Sequence, residues 1–389
     1  MTKFEYLDSE KYFDFIRGHR NIICFGAGAK LCQALELLDC VNIKPTIICD
    51  SNPMLWGTTI CYGEDVYEIT DYDDIKNGLN DYIILLTMSS HNAWEVYQLL
   101  RMKEENGNIV QFCNPFKVDH FLLQSQNIEE HLNDYERFYN KLEDDVSKEI
   151  FLLNLQYKIT GNMMRLYELT NGSTFFDKDI IGFHTNAVYV DVGAYTGDTV
   201  CDFLQYAGWG GGYAHIYAFE ADRGNYSALE RFVKYGRIKN ITLFNQALWS
   251  ERGKVTFYSI TDNREILYDS PNLFRSVDDA IDRSTLMEMQ EKGKKYKQEE
   301  IRTEKLDDFL MGNKPTMMKV NALAADFEIL KGSRGIIEAY KPIVILEHGV
   351  KPENLLDIMF FLSNIRSDYS FYLRQKDIFG DSKTVMYAV

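Results

Sequence analysis

The stretch that decides the fold is Val188-Tyr189-Val190-Asp191-Val192-Gly193-Ala194-Tyr195-Thr196-Gly197-Asp198-Thr199. An apolar, β-rich run stops at an acidic residue and gives way to glycines, and an amphipathic stretch follows. This order predicts a buried parallel strand, a tight turn and a helix, which form the first half of a nucleotide-binding βαβ unit. We expect Asp191 at the carboxyl end of the strand, Gly193 to let the backbone approach a ligand closely, and Gly197 to let the turn close.

A second acidic residue, Glu220, follows the next predicted strand at 215–219. A carboxylate at this place can accept both hydroxyls of a ribose. The interval from Asp191 to Glu220 is longer than the roughly 20 residues of a dinucleotide fold, and the turn lacks the Gly-x-Gly-x-x-Gly pyrophosphate pattern. A ligand with ribose and adenine but no pyrophosphate, S-adenosylmethionine, fits better. The alternative is a glycine-bearing turn in some other α/β fold.

Composition bounds the class of protein. The length of 389 residues favours two domains, and a hydrophobic fraction of 46% is enough for large cores. A net charge of −16 without a long Lys/Arg run argues against nucleic acids and anionic membranes as partners. The seven cysteines form no Cys-x-x-Cys pair and read as reduced thiols. Because no signal peptide or membrane-spanning run is evident, we expect a soluble cytoplasmic protein without membrane insertion.

Residues 1–116 predict a small Rossmann-like domain. A strand at 21–25 runs into the turn Gly26-Ala27-Gly28, and a second strand ends at Asp50; further strands are expected at 82–87 and 109–112. The third glycine position of a dinucleotide site is Leu31, which weakens that interpretation. Two interpretations stay open, a nucleotide or nucleotide-sugar site at the Gly26/Gly28 turn and a scaffold that only positions or dimerises the second domain.

The rest of the chain predicts a helical connector at 117–174 and a second α/β domain at 175–389. Strands are expected at 241–244, 316–320, 342–346, 371–374 and 384–388, with the last one completing the sheet. The segment 253–258 reads as a hairpin partner or edge strand. The polar stretch 259–299 reads as a lid or insertion, with helical spacing at 276–292.

Several motifs of this second domain resemble the FkbM-type S-adenosylmethionine-dependent methyltransferases. They are, in family order, 190–199, Ala218-Phe219-Glu220-Ala221-Asp222 with Asn225, Asn245-Gln246-Ala247-Leu248, Leu306-Asp307-Asp308-Phe309-Leu310 and Lys383-Thr384-Val385-Met386-Tyr387-Ala388. The resemblance covers residues ~175–389 and implies a seven-stranded class I methyltransferase sheet. It also implies O-methylation of hydroxyls, often on sugars of surface glycans or glycosylated natural products.

From the turn and the resemblance, we expect S-adenosylmethionine along 191–199, with its ribose on Glu220 and its adenine beside Gln246 and Ala247. The backbone N–H groups after Gly193 are expected to face the methionine carboxylate. The full set of expected cofactor-binding residues is Asp191, Gly193, Ala194, Tyr195, Thr196, Gly197, Asp198, Thr199, Glu220, Ala221, Asn225, Gln246 and Ala247.

The reacting centre departs from the family pattern. Where the family usually reads Lys-x-Asp-x-Glu-Gly-x-Glu, this chain reads Lys319-Val320-Asn321-Ala322-Leu323-Ala324-Ala325-Asp326. An amide such as Asn321 can orient a ligand but cannot accept a proton as a carboxylate does, and Leu323 can do neither. His348 is then the first candidate for a general base, with Glu347 orienting it or contacting the substrate. The candidate catalytic residues are Asn321, His348, Glu347 and Lys319, and no metal-ligand spacing stands out.

Three classes of function remain open at this point. The first is an active O-methyltransferase that acts on a sugar, glycan or nucleotide-sugar hydroxyl, with weak turnover and a possible homodimer. The second is a non-catalytic relative that binds S-adenosylmethionine or a sugar, suggested by Asn321 and Leu323. The third is an NAD-linked enzyme that uses the first domain, which Leu31 disfavours.

Overall fold

Two largely parallel β-sheets carry the architecture. The computed structural model describes residues 9–88, 90–103, 108–111, 128, 130–160, 164–170, 172, 175–182, 185–208, 212–260, 273–275, 296–310, 312–322, 325–348, 352–377 and 383–389. The chain divides into two compact units. The first comprises Met1–Asn140, Asp144–Asn171 and Asp377–Lys383, and the second comprises Lys141–Glu143, Gly172–Lys376 and Thr384–Val389.

The amino-terminal half of the chain forms one sheet and its helices. Its elements are α1 (Ser9–Arg17), β1 (Asn21–Phe25), α2 (Leu31–Cys40), β2 (Ile47–Cys49), β3 (Thr59–Tyr62), β4 (Asp65–Thr70), α3 (Tyr72–Ile75), a 3₁₀ turn (Lys76–Gly78), β5 (Tyr82–Leu86), α4 (Ser90–Lys103), β6 (Asn108–Gln111), α5 (Leu132–Lys141), α6 (Asp145–Thr160) and α7 (Met164–Glu168).

The first sheet has the strand order β3-β4-β2-β1-β5-β6. Its neighbours pair in parallel except for β3, which is antiparallel to β4. The four residues Ile22–Phe25 of β1 are all buried, as expected for a parallel strand covered on both faces. The order of the strands reverses between β1 and β5, so their carboxyl ends flank the crevice where open α/β sheets bind ligands.

The second unit contains the predicted organising strand. The elements from there on are α8 (Lys178–Ile181), β7 (Ala187–Val192), α9 (Asp198–Ala207), β8 (Tyr213–Phe219), α10 (Arg223–Gly236), β9 (Ile241–Phe244), β10 (Ala247–Leu248), β11 (Gly253–Ile260), β12 (Leu273–Arg275), β13 (Tyr296–Glu304), α11 (Leu306–Leu310), β14 (Met317–Val320), α12 (Asp326–Lys331), α13 (Arg334–Tyr340), β15 (Ile343–His348), α14 (Pro352–Ile365), β16 (Phe371–Asp377) and β17 (Lys383–Ala388).

The main sheet of this unit has seven strands in the order β16-β17-β15-β14-β7-β8-β9. β7 pairs in parallel with both β8 and β14, and β17 runs antiparallel to β15. The predicted α/β class with a seven-stranded sheet is therefore confirmed. One detail differs, because the last strand, β17, lies inside the sheet and β16 forms its edge.

The segment after β9 forms a second, smaller sheet. β11 and β13 pair antiparallel along their whole length, and the order is β10-β13-β11-β12. The segment 259–299, expected as a lid or insertion, continues as β-strand at both ends, in β11 and β13. The helix predicted at 276–292 lies outside the described residues, and the division into a first domain, a separate connector and a second domain stays a prediction.

Aromatic packing supports the turn that follows β7. The ring of Tyr189 stacks on Phe203 of α9 at 4.2 Å between centroids, and Phe176 meets both rings edge-on at 5.5 Å. All three side chains are buried. The strand and helix that hold the turn are therefore fixed by the core beneath them. Of the helices that the structure describes, none is long and apolar enough to cross a membrane.

Candidate active site

The turn after β7 is held by hydrogen bonds to the end of β8. The N–H groups of Gly193 and Ala194 both donate to the carbonyl of Phe219 at 3.0 Å. The N–H of Tyr195 donates to Oε2 of Glu220 at 2.9 Å. The N–H groups of Ala194 and Tyr195 therefore do not face a methionine carboxylate as expected, because protein acceptors already bind them.

Gly193 is required by the protein backbone itself. Its φ is +72°, and a Cβ placed on it would lie 2.1 Å from the carbonyl oxygen of Asn321. The expectation that Gly193 makes room for a ligand is therefore corrected, since the group that approaches it is the chain leaving β14. Gly197, with φ +103°, begins α9, and a Cβ there would lie 2.4 Å from the ring of Phe232 on α10.

A buried ion pair ties β7 to β14. The ammonium of Lys319 donates to Oδ1 of Asp191 at 3.1 Å and to the carbonyl of Gly193 at 2.8 Å. The hydroxyl of Thr199 donates to the other oxygen of Asp191 at 2.6 Å. Asp191 and Lys319 are fully buried, and Asp191 is the last residue but one of β7, at the carboxyl end of the strand as expected. The pair thus fixes the base of the turn from inside the core.

Glu220 lies at the rim of this arrangement. Its Oε1 accepts the N–H of Asp222 at 2.8 Å, while its Oε2 accepts the N–H of Tyr195. Burial raises the pKa of Glu220 to about 7, against the opposing effect of those two hydrogen bonds. A carboxylate offers about four acceptor positions, so about two remain for the hydroxyls of a ribose.

Several expected cofactor residues border Glu220. Asp222 caps α10 by accepting the N–H of Asn225 at 2.9 Å. The side chain of Asn245, which sequence reasoning placed in a motif but not in the site, donates to the carbonyls of Glu220 and Ala221 at 2.9 and 3.2 Å. It holds the end of β8 in place. The signal that could have found it is its position directly after the strand adjacent to β8.

The remaining residues of the expected cofactor set differ in exposure. Tyr195 is 44% exposed and has a φ of +47°. Thr196 is half-buried, and Asp198 is exposed in the first turn of α9. The amide nitrogen of Gln246 donates to the carbonyl of Arg302 at 3.1 Å, and Ala247 is buried in β10. Gln246 thereby links the small sheet to the edge of the main one.

The expected catalytic residues lie at the carboxyl ends of β14 and β15. Asn321 is half-buried, and its backbone N–H donates to the carbonyl of Val192 at 3.1 Å. Glu347 accepts a hydrogen bond from Lys376 at 3.1 Å. The backbone of His348 pairs with Thr384, while its side chain lies outside the described residues, as does Leu323. Lys319 directs its ammonium at Asp191 and the turn rather than outward.

One acid at this edge was missed. Asp326, the first residue of α12, occupies the last acidic position of the family pattern and keeps a carboxylate there. Its Oδ1 accepts the N–H of Ala322 at 2.6 Å, and for Oδ2 no hydrogen bond to another described residue is present. Burial, with a contribution from Glu347, raises the pKa of Asp326 to about 7 against the opposing charge of Lys319.

The described residues hold no group of three or more His, Cys, Asp or Glu side chains arranged to bind a metal ion. The arrangement instead combines a turn held by hydrogen bonds, the buried carboxyl group of Glu220 and the half-buried carboxyl group of Asp326 at the carboxyl ends of the strands. That is the edge of an open α/β sheet at which ligands bind.

Comparison with known proteins agrees with this geometry. The methyltransferase FkbM domain matches residues 191–371. The structure of methyltransferase FkbM from Methylobacillus flagellatus KT is similar over 99% of this chain and 98% of its own, with a TM-score of 0.61 and 14% identity. This likeness shows a shared fold. No curated protein sequence matches the chain.

Two further solved structures are similar over part of the chain. Precorrin-6y C5,15-methyltransferase from Geobacter metallireducens GS-15 is 12% identical, with a TM-score of 0.29 over 54% of this chain and 82% of its own. M. jannaschii TYW2, in complex with AdoMet, is 12% identical, with a TM-score of 0.28 over 54% of this chain and 69% of its own. Residues 191–371, a little under half of the chain, thus match the methyltransferase FkbM domain.

Proposed function

We propose that this protein transfers a methyl group from S-adenosylmethionine to a hydroxyl of a sugar, glycan or nucleotide-sugar. The observation that carries the proposal is the position of Glu220, whose two oxygens are fixed by backbone N–H groups from the turn and from the start of α10. Because the acid is preorganised and has acceptor capacity left, binding a ribose diol there needs little rearrangement.

The residues present fit the cofactor. Glu220 would hold the ribose, and the neighbourhood of Gln246 would hold the adenine. When bound, S-adenosylmethionine supplies an electrophilic methyl group on a sulfonium sulfur. The protein's own task is to hold an acceptor hydroxyl in line with that group and to remove its proton.

Asp326 is the carboxyl group best suited to take that proton. One of its oxygens is fixed by the N–H of Ala322, and the other is left for an acceptor hydroxyl. The nearby charge of Lys319 favours its ionised form, while burial and Glu347 disfavour it. A base with a pKa of about 7 suits catalysis near neutral pH. As a general base, Asp326 would take the place of the family acids that are replaced by Asn321 and Leu323 in this chain. His348 remains the alternative base.

The test is transfer of labelled methyl from S-adenosylmethionine to a panel of nucleotide-sugars and bacterial glycan fragments. Asp326→Asn should lower the rate about 10²–10⁴-fold and leave S-adenosylhomocysteine affinity unchanged. The matched control is Glu328→Gln, in the same helix, whose carboxylate pairs with Lys331 instead. Cofactor binding without methylation of any acceptor would favour the non-catalytic relative, and full activity of Asp326→Asn would exclude Asp326 as the base.

A further inference from the structure

The turn after β1 in the first unit is built like the turn after β7. The N–H of Gly26 donates to the carbonyl of Cys49, the last residue of β2, at 2.8 Å. The N–H of Gly193 makes the equivalent bond to the last residue of β8, Phe219, at 3.0 Å. Both glycines have positive φ angles, +116° and +72°. The same hydrogen bond, from the turn to the end of the next strand, is thus present at the carboxyl edge of two different sheets.

The acid after the second strand is held in the same way in both units. Oδ2 of Asp50 accepts the N–H of Ala27, from the turn, at 2.7 Å. Oδ1 of Asp50 accepts the N–H of Asn52, two residues onward, at 2.8 Å. Glu220 likewise accepts one N–H from its turn and one from the residue two positions onward. Like Glu220, Asp50 therefore keeps about two acceptor positions for further donors.

An aromatic ring lies beside Asp50. The indole N–H of Trp56 donates to the backbone carbonyl of Asp50 at 2.7 Å, which fixes the ring at the end of β2. Trp56 remains 37% exposed although it is a large apolar side chain. At the turn itself, no atom lies within 4 Å of the position that a Cβ on Gly28 would take. The edge thus combines an acid, an aromatic face and open space.

We propose that the first unit carries a second nucleoside site, for the ribonucleoside part of a nucleotide or nucleotide-sugar. The ribose diol would bind Asp50, and the base would stack on Trp56. Leu31 occupies the position of the third glycine in the dinucleotide pattern and is buried in the core. In dinucleotide-binding folds, a glycine at this position lets the helix pack closely on the strand. A mononucleotide is therefore favoured over a dinucleotide. The proposal does not depend on methyl transfer by the second unit.

The test uses the full-length Glu220→Ala variant, in which the other ribose acid is removed. It is titrated with uridine and guanosine 5′-monophosphates by calorimetry and by tryptophan fluorescence, with the 2′-deoxy nucleotides alongside. We expect saturable binding, quenching of fluorescence, and weaker binding of the deoxy forms. Trp56→Ala should weaken binding about 5- to 150-fold, the range for one stacked base. Trp56→Phe should keep most of the affinity and lose the quenching.

The matched control is Tyr235→Ala, which removes a 79% exposed aromatic ring from α10 and should leave nucleotide binding unchanged. Three results would each overturn the proposal: no binding of either nucleotide, equal affinity for the deoxy forms, or an unchanged affinity in Trp56→Ala. The deoxy comparison needs no substitution in the first unit, so misfolding of a Trp56 variant does not affect it. If the natural chain does not bind S-adenosylhomocysteine while the Glu220→Ala variant still binds the nucleotides, the proposed function alone is contradicted.

Discussion

The ammonium of Lys319 and the carboxylate of Asp191 are the most buried charges at the candidate site. They are 3.1 Å apart, and their side chains are 1% and 0% exposed. Two charges removed from water in this way are stable only while each keeps its partners. The hydroxyl of Thr199 and the carbonyl of Gly193 complete those partners. At the scale of single residues, the turn therefore depends on this pair.

Lys319→Met should be strongly destabilising, because it leaves the Asp191 carboxylate buried and unpaired. We expect a loss of about 3–5 kcal/mol in the free energy of unfolding, measured by urea denaturation. Adding Asp191→Asn should recover part of it. Lys331→Met is the control, since Lys331 pairs with Glu328 on the surface and its loss should cost no more than about 1 kcal/mol. Equal effects of Lys319→Met and Lys331→Met would contradict this interpretation.

Residue types could be predicted from the sequence, but their partners could not. The acidic residues Asp191 and Glu220 stand out because each ends an apolar run. Whether their oxygens bind a ligand, a backbone N–H or a lysine depends on contacts with distant parts of the chain. Asp191 and Lys319, for example, are 128 positions apart in the sequence. Gly193 shows the same limit of sequence-based prediction. A Cβ is excluded there by the carbonyl of Asn321, but the sequence alone does not distinguish this cause from the close approach of a ligand.

At the scale of elements, Gly193 controls how closely β7 and β14 approach at their carboxyl ends. In Gly193→Ala, the new methyl group would collide with the Asn321 backbone, so the two strand ends must separate. We expect a lower melting temperature together with weaker S-adenosylhomocysteine binding. Gly312→Ala is the matched control in the same unit, because its φ is +99° and no atom lies within 4 Å of the new Cβ. If both variants lose the same stability, the close approach is not the cause.

Buried parallel strands were the elements that the sequence predicted well. β1, β5 and β7 were expected within one or two residues of their observed bounds, because strands covered on both faces appear in the sequence as continuous apolar runs. β13 was missed. Its sequence, Tyr-Lys-Gln-Glu-Glu-Ile-Arg-Thr-Glu, is polar, and it becomes a strand through pairing with β11 and β10. Pairing between distant segments leaves little local signal.

At the scale of the whole molecule, stability should depend on pH through Glu220 and Asp326. Burial raises the pKa of both to about 7, from ordinary values of 4.5 and 3.8. Between about pH 4.5 and 7 the folded chain therefore binds more protons than the unfolded chain, so stability falls as pH rises through this window. Glu328, whose pKa is lowered, acts in the opposite sense but only below about pH 4.5.

We accordingly expect the urea midpoint of the ligand-free protein to decrease from pH 5.5 to pH 7.5. Asp326→Asn should make this decrease shallower, because the amide still accepts the Ala322 N–H but does not titrate. The control Glu328→Gln should leave the slope unchanged. A midpoint that rises over the same interval, or a slope that Asp326→Asn does not alter, would show that these carboxyl groups are ionised in the folded protein.

The central claim is that the clasped carboxylate of Glu220 holds the ribose of S-adenosylmethionine, and calorimetric titration with S-adenosylhomocysteine tests it most directly. The natural chain should bind. Glu220→Ala should bind about 5- to 150-fold more weakly, because ribose hydroxyls left unpaired cost about 1–3 kcal/mol. Glu230→Ala, which removes an exposed acid from α10, should bind like the natural chain. Unchanged affinity in Glu220→Ala, or no binding by the natural chain, would contradict the account.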